Sequence, residues 1–296
     1  MSDSLKNIAP SARLTRLQKV ALTTLIMGIV VTETLNWAAF ERRSLGKFKP
    51  TRLCWIFRSA KIAWHHMLQA SVRNILSHYA ITEGTLAIDD TARQRSKRTL
   101  RIEGTHKIRD KPTGGYINGQ ELVFMVLVTD IATFPVGFRF YVPDPQLSAW
   151  RKHNKALKKQ KVAKKLRPQR PAPDHARFPT LQALALEMIR EFADLFPEVV
   201  VKGVLADALY GTGKFMNEAT ILTGQTQVVS QLRSNQKVSA KGQSEVTLSD
   251  YFTRQKGVET QLIIRGGKTV RVTMLAARLT VKAHKKRRFV VALKYE

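Results

Sequence analysis

Two aspartates, Asp90 and Asp207, stand where an acid can do metal chemistry. Each follows a short apolar run, Leu86-Ala87-Ile88 before the first and Val199 to Ala206 before the second. Each also opens a stretch of small or polar residues. Such runs read as buried strands. Carboxylates at the ends of adjacent strands hold hard divalent cations through oxygen and leave coordination positions for phosphate oxygens. Mg2+ keeps most of its waters and needs only one or two protein carboxylates. Two such ions about 4 Å apart can activate an attacking oxygen and stabilise a leaving one. Taken alone, either acid is an ordinary strand-end turn residue; the pair, in a very basic chain, favours a metal site. Asp89 precedes Asp90 directly, and side chains alternate across a strand, so the two are expected on opposite faces with only one of them serving.

Competing chemistries lack a constellation. Gly266-Gly267-Lys268-Thr269 imitates the end of a phosphate-binding loop, but the glycine required five residues before Gly267 is Leu262. Gly211-Thr212-Gly213-Lys214 is incomplete in the same way. His65 and His66 are neighbours on a helix and diverge by about 100°. His153 and His175 are isolated. Nothing supports a Ser/His/Asp or Cys/His arrangement.

The elements that must position the acids follow from periodicity. Residues from about Ser11 to Tyr79 read as helical, and the clearest case runs through Phe57, Ala60, Trp64, Leu68, Val72, Ile75 and Tyr79. Beside that stripe lie Arg58, Lys61, His65, Gln69 and Arg73, a basic polar face that suits either solvent or DNA phosphates. The texture changes at Thr85. Leu86 to Ile88 predicts a central strand ending at Asp89-Asp90, and Leu122 to Thr129 and Phe134 to Val142 predict two more. Leu181 to Phe196 predicts a helix that stops before Pro197. Lys214 to Leu222 predicts a short helix and Gln227 to Leu232 a strand. Beyond Arg233, β-branched runs broken by turn signals predict a β-rich segment with a hairpin at Gly266-Gly267. Arg288 to Tyr295 predicts a last strand.

Charge bounds the partners. Among 296 residues, 50 Lys and Arg face 22 Asp and Glu, for a net charge of +28. So large a surplus repels itself in the compact state unless it meets a polyanion, and nucleic acid is the commonest soluble one. Ten of the basic residues, and no acid, lie between Trp150 and Arg170, a block that reads as a solvated loop or phosphate-contacting arm. Stacking aromatics on exposed strands, the mark of a general RNA binder, are not evident. Cys54 is the only cysteine, which excludes an intrachain disulfide and a Cys-based zinc site and fits a reducing cytoplasm. Met1 to Pro10 lacks the basic start and apolar run of a signal peptide. Val20 to Val31 is twelve residues long, too short for a membrane span of about 20, and is expected to be a buried helix.

Leu86-Ala87-Ile88-Asp89-Asp90-Thr91 and Leu205-Ala206-Asp207-Ala208-Leu209-Tyr210-Gly211 resemble the first and second acidic motifs of bacterial insertion-sequence DDE transposases. Arg101-Ile102-Glu103-Gly104 and the run from Val228 to Asn235 also sit where that family would have them, in the group with a β-strand domain inserted after the second acid. The resemblance covers most of the chain. It implies an α/β fold: an RNase H-like mixed sheet, with a helical N-terminal domain over 1–80 and an inserted β-rich subdomain. The core's first part would span 81–232, the insertion 233–287, and a returning core strand 288–296.

It further implies that Asp90 and Asp207 are the catalytic, metal-binding acids, with Mg2+ as cofactor and Mn2+ as an alternative. Arg93, Arg95, Lys97, Arg98, Lys107 and Arg233 would approach DNA. The implied activity is metal-dependent cleavage and strand transfer at element ends, with a homodimer expected because two ends must be brought together and no membrane involved. The family's third acid sits on a helix, with Tyr before it, Arg between, and Lys some turns later. Glu259 comes near this pattern with Tyr251 and Arg254 but is one residue out of register; Glu218 follows Asp207 too soon, and Glu296 ends a strand. The expectation is therefore a chain that stops before the acidic helix, and a DNA-binding remnant without catalysis is the alternative.

Overall fold

A capping box begins the first described helix: the Thr15 hydroxyl accepts from the Gln18 N–H at 3.2 Å, and the Gln18 side chain accepts from the Thr15 N–H at 2.9 Å. The computed structural model of the protein describes residues 14–96, 102–110, 113–264 and 266–295. The chain divides into two compact units, Met1–Ile81 with Pro135–Gly137, and Thr82–Phe134 with Phe138–Glu296.

Among the described residues the first unit carries four helices, α1 (Arg16–Thr32), α2 (Trp37–Arg43), α3 (Pro50–Ser59) and α4 (Trp64–His78). Leu22, Ile62, Met67 and Ala70 form a core cluster, with Leu14, Phe57 and Ala60 packed against it. Two expectations fail here. The helix foreseen through Phe57 to Tyr79 is broken, because α3 ends at Ser59 and Ala60 adopts an extended backbone. Arg58 and Lys61 thus leave the face that carries His65, Gln69 and Arg73, and Gln69 is buried. The apolar run of α1 is not buried either. Only Ala21 and Leu22 are covered, while Val30 is 68% exposed. Apolar residues circle this helix, and a small bundle can cover only one side of it. No single described helix is long and apolar enough to cross a membrane, and α1 with α2 passes only as a pair bent by 87°.

The second unit is mixed α/β and holds two sheets. Its first strands are β1 (Glu83–Gln94), β2 (His106–Arg109), β3 (Tyr116–Val128) and β4 (Thr133–Tyr141). Two helices follow, α5 (Pro145–Lys159) and α6 (Leu181–Leu195), and then β5 (Val200–Ala206), α7 (Gly213–Leu222) and β6 (Val228–Ser230). The strand order is β2-β3-β1-β5-β6, with β4 also paired to β3. β1 is antiparallel to β3 and parallel to β5, and β5 is parallel to β6. Leu86 and Ile88 pair in register with Leu127 and Met125, and all four are buried. α6 buries Leu184, Ala185, Met188, Ile189 and Phe192, the spacing of one helical face. β1 does not stop at the acids as expected; it continues to Gln94 because β3 pairs with it as far as Gly119. The basic block is not a plain loop. α5 takes up its first half, capped by Asp144, and the Trp150 indole N–H donates to the Pro168 carbonyl at 2.9 Å.

The second sheet has the order β11-β10-β7-β8, with β9 paired to β10. Its elements are β7 (Lys237–Ser239), β8 (Val246–Thr247), α8 (Leu248–Thr253), β9 (Val258–Ile263), β10 (Thr269–Val281) and β11 (Lys286–Tyr295). The Gly266-Gly267 hairpin joins β9 to β10 as expected, with both glycines at positive φ. The strand foreseen as returning to the core sheet at 288–296 does not return there. It pairs with β10 along ten residues and so extends the second sheet, because Val290 finds its apolar partners there with Val238, Leu279 and Val281.

His284, in a 3-10 turn (Lys282–His284), ties this sheet to the loop after β5. Its Nδ1 accepts from Arg288 Nε–H at 3.3 Å, which leaves the proton on Nε2 to donate to the Gly211 carbonyl at 2.9 Å. Burial holds the ring's pKa below its ordinary value. A depressed pKa means that the neutral ring's contribution is complete above about pH 6.5 and is lost as pH falls through the folded value. Urea midpoints are therefore expected to fall from pH 7.5 to 5. His284→Ala, which strands the Gly211 carbonyl, should cost about 1–3 kcal/mol at pH 7.5 and flatten that part of the pH profile.

Candidate metal centre

β1 and β5 run side by side in parallel, with Ile88 opposite Ala206 as the last paired residues, so the next residues of each chain emerge at one edge of the sheet. Asp89, Asp90 and Asp207 meet there. One carboxylate oxygen from each lies within 4.8 Å of the others. Asp90 and Asp207 are half-buried and Asp89 is exposed. Asp90 pairs with Val123 of β3 and so shares the buried face of β1 with Ile88.

The loop after β5 is tightly held. Asp207 Oδ1 accepts from the Leu209 N–H at 2.8 Å, an Asx-type turn, and its carbonyl accepts from the Ser230 hydroxyl at 2.6 Å and the Tyr210 N–H at 3.1 Å. Gly211 is required by close approach, since a Cβ there would lie 2.5 Å from the Gln231 carbonyl. Gly211→Ala must therefore push the Asp207 loop off β6. A loss of about 1–3 kcal/mol is expected, read as a lower urea midpoint.

The reach of Asp89 corrects the expectation that alternation would keep it away from Asp90. Beyond Ile88 no β5 residue pairs with β1, although β3 still does, and the Asp89 side chain turns along its own strand towards the next residue. Its Oδ1 accepts from the Asp90 N–H at 2.8 Å. Strand alternation governs where a Cβ points, and a side-chain torsion where the β5 side of the strand is open can still bring the carboxylate round.

Tyr210 lies under the cluster. It is fully buried, packs against Phe215 with ring centres 5.2 Å apart and planes tilted by 54°, and its hydroxyl has no hydrogen-bond partner among the described residues. Burial above all, and then the negative charges of Asp90, Asp207 and Asp89, push its pKa up, so the phenol keeps its proton and can only donate to the acids. Residue spacing gives Tyr210 no such role, because no local pattern marks a residue whose partner is a charge cluster.

The basic residues expected near DNA are dispersed. Arg93 is exposed on β1 beyond the acids, and Arg233 is exposed in the turn after β6. Lys107 lies on β2 with its ammonium 4.6 Å from the Tyr116 ring centre. The Arg95 guanidinium turns inward, where Nε–H and an Nη2–H both donate to Gln120 Oε1, at 3.0 and 2.8 Å. Lys97 and Arg98 lie outside the described residues. Glu259, the nearest approach to a third family acid, is on β9 rather than a helix, and Glu218 is on α7 in an i,i+4 pair with Lys214.

Three hard oxygen donors converging where the parallel pairing of β1 and β5 ends suit a divalent cation such as Mg2+, Mn2+ or Ca2+, and no thiolate or imidazole in the group favours a softer metal. The family model of the DDE superfamily endonucleases matches residues 46–289. No curated protein matches the chain. The match takes in both acidic strands and most of the second sheet, well over half of the chain, and this protein belongs to the DDE superfamily endonuclease family.

Proposed function

We propose that the protein is a DDE transposase of a bacterial insertion sequence, with an RNase H-like core that cuts and joins DNA at element ends. The observation that carries this reading is the convergence of Asp90 and Asp207 within 4.8 Å at the ends of parallel strands, in a chain matched by the endonuclease family. Asp90 and Asp207 would hold Mg2+ or Mn2+, and the bound cations would supply activation of the attacking oxygen and stabilisation of the leaving one. The chain's own groups prepare that site. The Leu209 N–H fixes one Asp207 oxygen, Ser230 fixes its backbone, and the buried Tyr210 phenol lies close enough to feel the charges of the acids. Arg93, exposed on β1 past the acids, and Arg233, exposed after β6, would steady the phosphate backbone, as would the basic face of α5. A homodimer is the assembly that would hold two ends together.

A second reading is a DNA-binding relative that does not cut. It is favoured by one observation: among the described residues no acid from a helix joins the cluster. Cleavage of supercoiled DNA carrying the element ends, in Mg2+ and in EDTA, separates the two. Cation-dependent nicking lost in both Asp90→Asn and Asp207→Asn supports the enzyme. Retention on DNA without nicking supports the non-cutting relative.

A further inference from the structure

We propose that Asp89 is a direct ligand of the cation, a third carboxylate drawn from the same strand as Asp90; this rests on the reading of Asp90 and Asp207 as cation ligands. Oxygens on opposite sides of one Mg2+ lie about 4.2 Å apart, twice a bond of about 2.1 Å. The spacing within the cluster, 4.8 Å at most, needs only small side-chain movement to close on one ion. Asp89 is already restrained for the task, since the Asp90 N–H fixes Oδ1 and leaves Oδ2 to bind. Holding a carboxylate in place before the ion arrives reduces the ordering cost of binding.

An independent observation points to something filling the cluster. The buried Tyr210 hydroxyl has no partner among the described residues, and the charges acting on it include Asp89 as well as Asp90 and Asp207. A buried donor without an acceptor is costly unless the occupied site supplies one, such as a carboxylate drawn inward or a water of the ion's shell. A cation among the three acids would also relieve their mutual repulsion.

The test is Mn2+ titration of the full chain by calorimetry, with thermal unfolding of the metal-free protein as the folding control. Asp89→Asn keeps an oxygen to accept from the Asp90 N–H and removes the charge, so the metal-free fold should persist. Outer partners of metal ligands cost about 10- to 100-fold in affinity when removed, so loss of a ligand should weaken Mn2+ binding by at least about 10-fold. Asp89→Cys supplies a soft donor and should raise preference for Cd2+ over Mn2+ by about 10-fold or more relative to the parent, which already carries Cys54. A residue that merely positions its neighbours would not produce that switch. Parent-like Mn2+ affinity in Asp89→Asn, alongside loss in Asp90→Asn and Asp207→Asn, overturns the role of Asp89 and leaves the site standing. Absence of the Cd2+ shift overturns direct ligation. A parent that takes up no Mn2+ at millimolar concentration overturns the cation site itself, and Asp89 with it.

Discussion

Asp90→Asn and Asp207→Asn are each expected to weaken Mn2+ binding by at least about 100-fold and to abolish cation-dependent cleavage, while leaving the protein folded and able to bind DNA. The magnitude has a floor. Groups that only orient a ligand are worth about 10- to 100-fold, and a group that donates the coordinating oxygen should exceed them. Folding should survive because neither side chain belongs to an apolar cluster. Asp207→Asn retains Oδ1 for the Leu209 N–H, and the Asp207 carbonyl still accepts from Ser230. Calorimetric titration with Mn2+ reads the first effect, and plasmid nicking in Mg2+ the second. Binding and nicking at parent levels in both variants would refute the metal-centre reading.

DNA affinity should fall about 10³- to 10⁵-fold between 50 and 200 mM salt, the range for a protein that neutralises about 6–10 phosphates. The net charge of +28 sets this expectation, and the fold says where much of it resides. α5 displays Arg151, Lys152, Lys155, Lys158 and Lys159 as exposed residues, and Lys161, Lys164 and Lys165 follow. A helix spaces its side chains at fixed intervals, so these cations form a rigid array rather than a loose tail, held by the bond from Trp150 to Pro168. Replacing Lys155, Lys158 and Lys159 together with Ala should lower the slope of log affinity against log salt by about 2.7, roughly 0.9 for each phosphate that is no longer neutralised. Fluorescence anisotropy on duplex DNA measures the slope. An unchanged slope would move the interface elsewhere, with Arg93 and Arg233 as the next residues to test.

Much of the architecture is readable from local pattern. The apolar run at Leu86 to Ile88 and the run before Asp207 mark two strands that lie beside each other in the sheet, but the second is buried only at Val204, with Val200 and Leu205 exposed. Leu184, Met188 and Phe192 mark α6, and Gly266-Gly267 marks the hairpin. These succeed because the burial of one strand or helix face is written at a spacing of a few residues. The failures arise where apolar spacing is silent or where a residue's surroundings come from distant segments. Breaking the Phe57 to Tyr79 stripe at Ala60 needs only a local backbone choice that apolar spacing does not encode. Leaving α1 exposed reflects how little of an all-round apolar helix its described neighbours cover. Pairing β11 with β10 depends on where Val238 and Leu279 lie, on two other strands of the second sheet.

Residue order by itself determined that Asp90 and Asp207 would stand on or beside adjacent strands in a chain charged to meet a polyanion, because apolar runs specify strands and side-chain charge is independent of fold. Only the tertiary structure decided that Asp89 joins them, that Tyr210 is sealed beneath them, and that His284 of the second sheet grips the Gly211 carbonyl. Those three facts depend on distances between segments far apart in sequence or on one torsion where β1 has lost its β5 neighbour. Neither leaves a periodic trace in the chain.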